Sequence, residues 1–177
     1  MSLWSSETLC LVSYADADDD SDKQTHSNTS GYDFSIFGGT TVSWTSQRTK
    51  CVILSSTESE YITVTEARKA ARHLRFLLVE FQLLDVDTPI VLNVDNQSAI
   101  AVAEGLGLKG NLKHMEQSYA WLQQMAKHRK IALQYILATE QPADFLTKAL
   151  QFPAFNQCFV AIGQVCLADV DNDDVQN

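Results

Sequence analysis

The chain has 177 residues, of which 45% are hydrophobic and 20% are charged, and this balance is typical of a globular protein with a sizeable core. The length predicts one domain. The sequence contains neither a run of about 18 apolar residues nor a signal-peptide pattern, so we expect an intracellular protein, cytoplasmic or nuclear, without a membrane segment. The four cysteines lack CxxC spacing, which excludes the common zinc motifs and favours reduced thiols over disulfides.

The net charge of −9 is unevenly distributed along the chain. Residues 16–22 hold five aspartates and residues 169–177 hold four, whereas the other 13 acidic residues equal the 13 Lys and Arg. The main part of the domain is therefore neutral, so the overall charge does not exclude a nucleic-acid partner. We expect residues 1–8 to form a leader and residues 167–177 a disordered acidic tail.

The first part of the chain is predicted to form β-structure. Residues 9–15 are an apolar run of strand length that ends in acids. Residues 31–37 and 40–44 are rich in β-branched and aromatic side chains and meet at Gly38-Gly39, which predicts a hairpin. Residues 50–54 predict a further short strand, which makes three or four strands in succession.

Helices and strands are mixed in the rest of the chain. Ser55 and Glu58 form a capping box, and apolar residues at three- and four-residue steps then predict a helix of about seven turns. The later predicted elements are a strand at 90–94, helices at 98–103 and 112–127, a strand at 131–137, a helix opened by Pro142 and a packing helix at about 155–165. This order predicts an α/β fold in which helices flank a mixed sheet.

Four carboxylates from four predicted elements are candidate metal ligands. Asp16 and Asp95 each follow a predicted buried strand, at the sheet edge where α/β proteins bind ligands. Glu60 lies about one turn into the long helix, and Asp144 lies in the first turn of the helix opened by Pro142. Acids that cluster need cations to offset their repulsion, and oxygen ligands suit Mg²⁺ or Mn²⁺. Spacing alone leaves open that all four are solvated cap and strand-end residues.

Seven short segments together point to a family. They occur in the order Tyr14-Ala-Asp-Ala-Asp, Thr29-Ser-Gly-Tyr, Ser43-Trp, Leu54-Ser-Ser-Thr-Glu-Ser-Glu-Tyr, Val94-Asp-Asn-Gln-Ser-Ala-Ile, Lys113-His114 and Pro142-Ala-Asp-Phe-Leu-Thr-Lys-Ala-Leu. The series, which covers about residues 9–150, resembles the ribonuclease H domain of copia-type LTR-retrotransposon polyproteins. The resemblance implies the ribonuclease H-like fold, a five-stranded mixed sheet with three antiparallel strands followed by parallel strands, flanked by helices. We expect the domain to cover residues 9–166, with the packing helix at about 155–165 beyond the clear resemblance.

The resemblance also implies an activity, a site and partners. The activity is metal-dependent endonucleolytic cleavage of the RNA strand of an RNA–DNA hybrid, with two Mg²⁺ or Mn²⁺ ions and an attached or associated reverse transcriptase. The family's catalytic and metal-binding acids fall on four residues, which are Asp16, Glu60, Asp95 and Asp144. Asp18 and Glu58 are the nearest alternatives to Asp16 and Glu60. Four residues are candidate substrate contacts, namely Asn96, Ser98, Lys113 and His114, with turn and cap roles as the alternative for Asn96 and Ser98.

Several positions depart from the family pattern. Asp19 stands where the family usually has Trp, and His26 and Ser27 stand where it usually has basic residues. The chain thus has fewer basic residues than the family pattern but keeps the four acids. The alternative function is therefore a degenerate or repurposed module that binds nucleic acid or protein without cleaving it. An EF-hand calcium loop beginning at Asp16 is disfavoured because Ser21 and Ser27 replace the Gly and Glu that such a loop needs.

Three other features bear on a substrate surface. The basic segment 109–130 is a candidate phosphate-binding region, with a solvated helix face as an equal alternative. Arg68, Arg72 and Arg75 follow one side of the long helix, and we expect them to form a solvated face. Trp44 and Trp121 are expected in the core rather than as stacking platforms.

Overall fold

The computed structural model describes residues 11–18, 28–36, 40–49, 55–105 and 130–163. In this part of the chain five strands form one sheet in the order β3-β2-β1-β4-β5. The strands are β1 (Leu11–Asp18), β2 (Thr29–Ile36), β3 (Thr40–Arg48), β4 (Ile90–Val94) and β5 (Ile131–Tyr135). The pairs β1–β2 and β2–β3 are antiparallel, whereas β1–β4 and β4–β5 are parallel. The predicted mixed α/β sheet is therefore confirmed.

The described helices are α1 (Ser56–Glu80), α2 (Gln97–Ala103), α3 (Asp144–Thr147) and α4 (Phe152–Ala161), with a 3-10 turn at Ala138–Glu140. The 25 residues of α1 make about seven turns, as the apolar spacing predicts. The predicted cap is also present, because the Ser55 Oγ accepts a hydrogen bond from the backbone N–H of Glu58 at 3.2 Å. None of the described helices is both long and apolar enough to cross a membrane.

The core lies between α1 and one face of the sheet. The buried apolar face of α1 packs against the central strands, and its members include Tyr61, Val64, Ala67 and Ala71. β4 lies inside the sheet between β1 and β5, and its Leu92 and Val94 are fully buried, which explains why this strand is a continuous apolar run in the sequence. The core therefore fixes the position of α1 relative to β1 and β4.

The short helix α3 lies on the opposite face of the sheet. Ser30 and Gly31 are adjacent on β2 and so point to opposite faces, and Ser30 accepts a hydrogen bond from Thr63 of α1 at 2.7 Å. A Cβ atom at Gly31 would lie 2.7 Å from the Cβ of Leu146 and 2.8 Å from the Cγ2 of Thr147. Glycine at this position therefore permits α3 to approach the sheet closely.

Two side chains differ from the expectations above. Trp44 is 63% exposed on the edge strand β3, so the expectation of a core Trp44 is wrong. Arg68 is 1% exposed and its Nη1 donates to the Ala103 carbonyl at 3.4 Å, because this side of α1 faces α2. The expected solvated arginine row is thus wrong at Arg68, whereas Arg72 is exposed.

Some predicted elements are shifted or fall elsewhere. The strand predicted at 131–137 ends at Tyr135, and α4 begins at Phe152 rather than at about 155. The packing of α4 is limited, since Phe152 is 69% exposed, while Phe155 and Phe159 stack with ring centroids 5.5 Å apart. The leader 1–8, the strand 50–54, the helix 112–127, Trp121 and the tail 167–177 lie outside the described residues. Cys158 is a free thiol.

Candidate metal centre

Two carboxylates meet because their strands are parallel neighbours. Ala15 of β1 pairs with Val94 of β4, so the next residues, Asp16 and Asp95, lie side by side at one end of the sheet. β1 continues to Asp18, and Asp16 is therefore inside the strand rather than just after it. Asp144 is the first residue of α3. Asp16, Asp95 and Asp144 each offer an oxygen, and these three atoms all lie within 4.8 Å of one another.

Glu60 adds a fourth carboxyl group from α1. It is 7% exposed, and burial together with the nearby charges of Asp16 and Asp95 raises its pKa to about 9. The backbone N–H of Ala17 donates a hydrogen bond to it, while its Oε2 is buried and has no hydrogen-bond partner among the described residues. Glu60 therefore interacts electrostatically with the aspartates of this site. We call the group of Asp16, Glu60, Asp95 and Asp144 the acidic cluster.

Burial and mutual repulsion oppose ionisation in the acidic cluster. Burial raises the pKa of Asp16, and the charge of Asp144 raises it further. Burial also raises the pKa of Asp95, followed by the charge of Asp16. The Oδ1 of Asp95 is buried and has no hydrogen-bond partner in the part of the chain that the structure describes. When they ionise, these carboxylates carry negative charge that the described protein atoms compensate only in part.

Thr147 and Lys148 contact the acidic cluster, and the sequence analysis assigned them no role. The Thr147 hydroxyl donates a hydrogen bond to Asp16 Oδ2. The Lys148 Nζ lies 2.7 Å from Asp144 Oδ1 and 3.4 Å from Asp16 Oδ2. The signal that could have found Lys148 is its position four residues after Asp144, because helical residues at this spacing are neighbours.

Gln141 connects the loop before α3 to β1. Its Nε2 donates to the Ala15 carbonyl at 2.9 Å, and its Oε1 accepts a hydrogen bond from the backbone N–H of Ala143 at 3.4 Å. Gln141 is 2% exposed, so these bonds are shielded from water. The glutamine therefore positions the start of α3, and with it Asp144, beside Asp16.

The candidate substrate contacts are only partly described. Asn96 caps α2, since its Oδ1 accepts a hydrogen bond from the Ala99 N–H at 3.0 Å, and Ser98 is exposed in the first turn. Lys113 and His114 lie outside the described residues. Lys130 directly precedes β5, at the end of the parallel strands away from Asp95, and its Nζ donates to the Val86 carbonyl at 2.8 Å. Lys130 is therefore remote from the acidic cluster.

The chemistry of this donor set fits hard divalent cations. The three closest groups supply only carboxylate oxygens, which Mg²⁺ and Mn²⁺ prefer over nitrogen or sulfur. The buried oxygens without partners, Glu60 Oε2 and Asp95 Oδ1, are atoms that a bound cation would satisfy. A cation would also offset the repulsion that raises the pKa values of Asp16, Glu60 and Asp95.

Comparison with known proteins identifies relatives by sequence and solved structures with a similar fold. No family model matches the chain. Over 153 residues the chain is 35% identical to the "Retrovirus-related Pol polyprotein from transposon TNT 1-94" of Nicotiana tabacum. The aligned region covers 86% of this chain and 11% of that relative. The chain thus spans about a tenth of the length of the curated relative it matches.

Solved structures with similar architecture include two ribonucleases H1. The enzyme from Halobacterium salinarum NRC-1 superimposes with a TM-score of 0.56 at 14% identity, over 83% of this chain and 98% of that one. LC11-RNase H1, solved in complex with an RNA/DNA hybrid, gives a TM-score of 0.55 at 15% identity, over 78% and 94% of the two chains. At such identities these similarities establish the fold.

Proposed function

Because the chain is related by sequence to a segment of retrotransposon Pol polyproteins and has the ribonuclease H fold, we propose that it is an endonuclease that hydrolyses the RNA strand of RNA–DNA hybrids. The sequence relationship confirms the resemblance predicted from the short motifs. The observation that supports the activity is the acidic cluster, in which Asp16, Asp95 and Asp144 bring oxygens within 4.8 Å of one another. The hybrid bound to LC11-RNase H1 supports the substrate class.

The proposed metal ligands are the three clustered aspartates and Glu60. Together they would hold one or two Mg²⁺ or Mn²⁺ ions, and two ions match four carboxylates in charge. When bound, such a pair supplies an activated water and stabilises the leaving oxygen of the phosphodiester. The reverse transcriptase of the same polyprotein is the proposed attached partner.

The other residues at the site position these ligands. Thr147 holds Asp16 through a hydrogen bond, and Gln141 holds the start of α3 against β1. Asn96 directly follows Asp95 and Ser98 lies three residues after it. We assign both to the RNA backbone, where hydroxyl and amide groups contact phosphates and 2′-OH groups. Each of these residues acts by binding or orientation rather than by proton transfer.

A module that binds without cleaving is the second candidate, and the clustering of the acids argues against it. Burying several carboxyl groups together costs free energy, as the raised pKa values of Asp16 and Asp95 indicate. A binding surface for nucleic acid gains nothing from such a cluster, because the phosphates are themselves negative.

The test is cleavage of a labelled RNA–DNA hybrid with Mg²⁺ or Mn²⁺. Wild-type protein should cut the RNA strand, and Asp95→Asn should cut at least about 100-fold more slowly because a proposed metal ligand is lost. Asp87→Asn is the matched control, since the Asp87 side chain is 91% exposed. An inactive wild type with both metals would overturn the nuclease, and full activity of Asp95→Asn would overturn the site.

A further inference from the structure

An ammonium group lies inside the acidic cluster. The Lys148 Nζ lies 2.7 Å from Asp144 Oδ1 and 3.4 Å from both Oδ1 and Oδ2 of Asp16. One nitrogen therefore contacts three oxygens that belong to two of the proposed metal ligands. The side chain of Lys148 is 34% exposed, so the charge is partly shielded from solvent.

The backbone around Lys148 determines this position. Lys148 ends α3 in an extended conformation, and its N–H donates to the Asp144 carbonyl at 2.8 Å. The preceding residue, Thr147, is bonded to Asp16 and packs over Gly31. Since Thr147 is held against the sheet and the Lys148 backbone is bonded to Asp144, the ammonium group lies close to the cluster.

The charge of Lys148 acts on three members of the acidic cluster. It lowers the pKa of Asp16, of Glu60 and of Asp95, in each case against the larger effect of burial. A divalent cation ligated by Asp16 and Asp144 would lie about 2.1 Å from an oxygen of each. An ammonium group that contacts oxygens of Asp16 and Asp144 occupies the space that this cation would take, and it likewise offsets the negative charge of the carboxylates. The ammonium group and the divalent cation therefore exclude each other.

We propose that Lys148 is a built-in counter-cation of the metal-free site, whose ammonium group occupies the position between Asp16 and Asp144 and leaves it when a divalent cation binds there. This inference rests on the proposed function only in taking Asp16 and Asp144 as metal ligands. Its consequence is that Lys148 stabilises the metal-free protein and weakens metal affinity. The residue thereby sets the metal concentration at which the site fills.

The experiment measures Mn²⁺ binding by titration calorimetry and the Tm in EDTA, on the full chain at fixed pH and salt. Lys148→Met keeps an unbranched apolar stem and removes the charge. This variant should bind Mn²⁺ about tenfold more tightly than wild type and should have a lower Tm in EDTA. Lys69→Met is the control, because Lys69 pairs with Glu66 at 2.6 Å on the surface and its loss changes the net charge equally.

Unchanged or weaker Mn²⁺ binding by Lys148→Met, or an equal gain in Lys69→Met, would overturn the inference. Lys148→Arg provides a second variant that retains the charge, and it should not bind Mn²⁺ more tightly than wild type. If wild type binds Mn²⁺ but cleaves no hybrid, the proposed nuclease fails while the role of Lys148 stands. If wild type cleaves and Lys148→Met shows no gain in affinity, the role of Lys148 fails alone.

Discussion

Glu58 and Glu60 are two residues apart on α1 and have different surroundings. The backbone N–H of Glu58 bonds to the capping Ser55, which places Glu58 at the start of the helix. Glu60 is close enough to Asp16 and Asp95 for their charges to raise its pKa. Residues two positions apart point to different sides of a helix, so the carboxyl group proposed to bind metal is that of Glu60.

We expect Glu60→Gln to weaken Mn²⁺ affinity about 10- to 100-fold, because glutamine cannot supply the carboxylate that forms when a bound cation displaces the proton. Its metal-free Tm should change little, since a pKa of about 9 means that Glu60 is already protonated at neutral pH. Glu58→Gln is the matched control and should leave the affinity within about twofold of wild type. Calorimetry on both variants tests this assignment, and the opposite ranking would transfer the role to Glu58.

Asp33 is a buried acid outside the acidic cluster. It lies on β2 with 0% exposure, its Oδ2 accepts a hydrogen bond from Ser35 Oγ at 2.6 Å, and no described residue bonds to its Oδ1. Burial raises the pKa of Asp33 above its ordinary value. A carboxyl group with a raised pKa in the folded state ionises more easily in the unfolded chain. Its contribution to the free energy of unfolding therefore falls as the pH rises from its unfolded pKa to its folded pKa.

Asp33→Asn should remove this part of the pH dependence. The variant should therefore gain stability relative to wild type when the pH rises from about 4 to about 7.5. Urea midpoints of both proteins at the two pH values measure the effect. The acids of the cluster are the same in both proteins, so their titration does not affect the comparison. Parallel pH profiles would show that the Asp33 pKa is not raised by folding.

At the scale of elements, the contact between β2 and α3 determines where Asp144 and Lys148 lie. This contact is close because Gly31 has no side chain, and Ser46 of β3 adds a hydrogen bond to the Leu146 carbonyl at 2.5 Å. The atoms that face Gly31 are a Cβ and a Cγ2 near the backbone of α3, which cannot move aside without moving the helix.

Gly31→Ala should lower the free energy of unfolding by about 1–3 kcal/mol, because the added methyl group overlaps Leu146 and Thr147. It should also weaken Mn²⁺ binding, since α3 must shift and carries Asp144 with it. Urea denaturation and calorimetry measure the two effects. Gln47→Ala, at an exposed position of β3, is the control and should change neither. Unaltered stability of Gly31→Ala would contradict the close approach.

At the scale of the whole molecule, folding brings carboxylates from four elements to one end of the sheet. The unfolded chain lacks this arrangement, so the proposed divalent cation would bind the folded state preferentially and stabilise it. The expected stabilisation is about 2.7 kcal/mol when the free metal concentration is about 100 times the Kd.

Mn²⁺ at that concentration should raise the Tm by about 5–10 °C for a domain of this size. Differential scanning calorimetry with and without the metal measures the shift, with NaCl of equal ionic strength to account for screening. Asp144→Asn should show a much smaller shift. An equal rise in wild type and in Asp144→Asn would mean that the stabilising ion binds elsewhere.

The sequence by itself determined the order and type of the main elements, because their signals are local. The capping box at Ser55, the apolar spacing of α1 and the continuous apolar run of β4 act over a few residues, and both α1 and β4 form where they were predicted. The motifs also singled out Asp95 and Asp144 as candidate ligands. Apolar periodicity and capping are chemistry of neighbouring residues, and a single sequence displays them directly.

Only the tertiary structure decided which side chains meet and which are covered. Thr147 bonds to Asp16 across 131 positions of the chain, and the Lys148 ammonium group lies between acids from β1 and α3. Burial of Arg68 by α2 and exposure of Trp44 on the edge strand likewise depend on how elements pack. No local pattern specifies such contacts, because the same short segment can be exposed or buried according to what the rest of the chain places beside it.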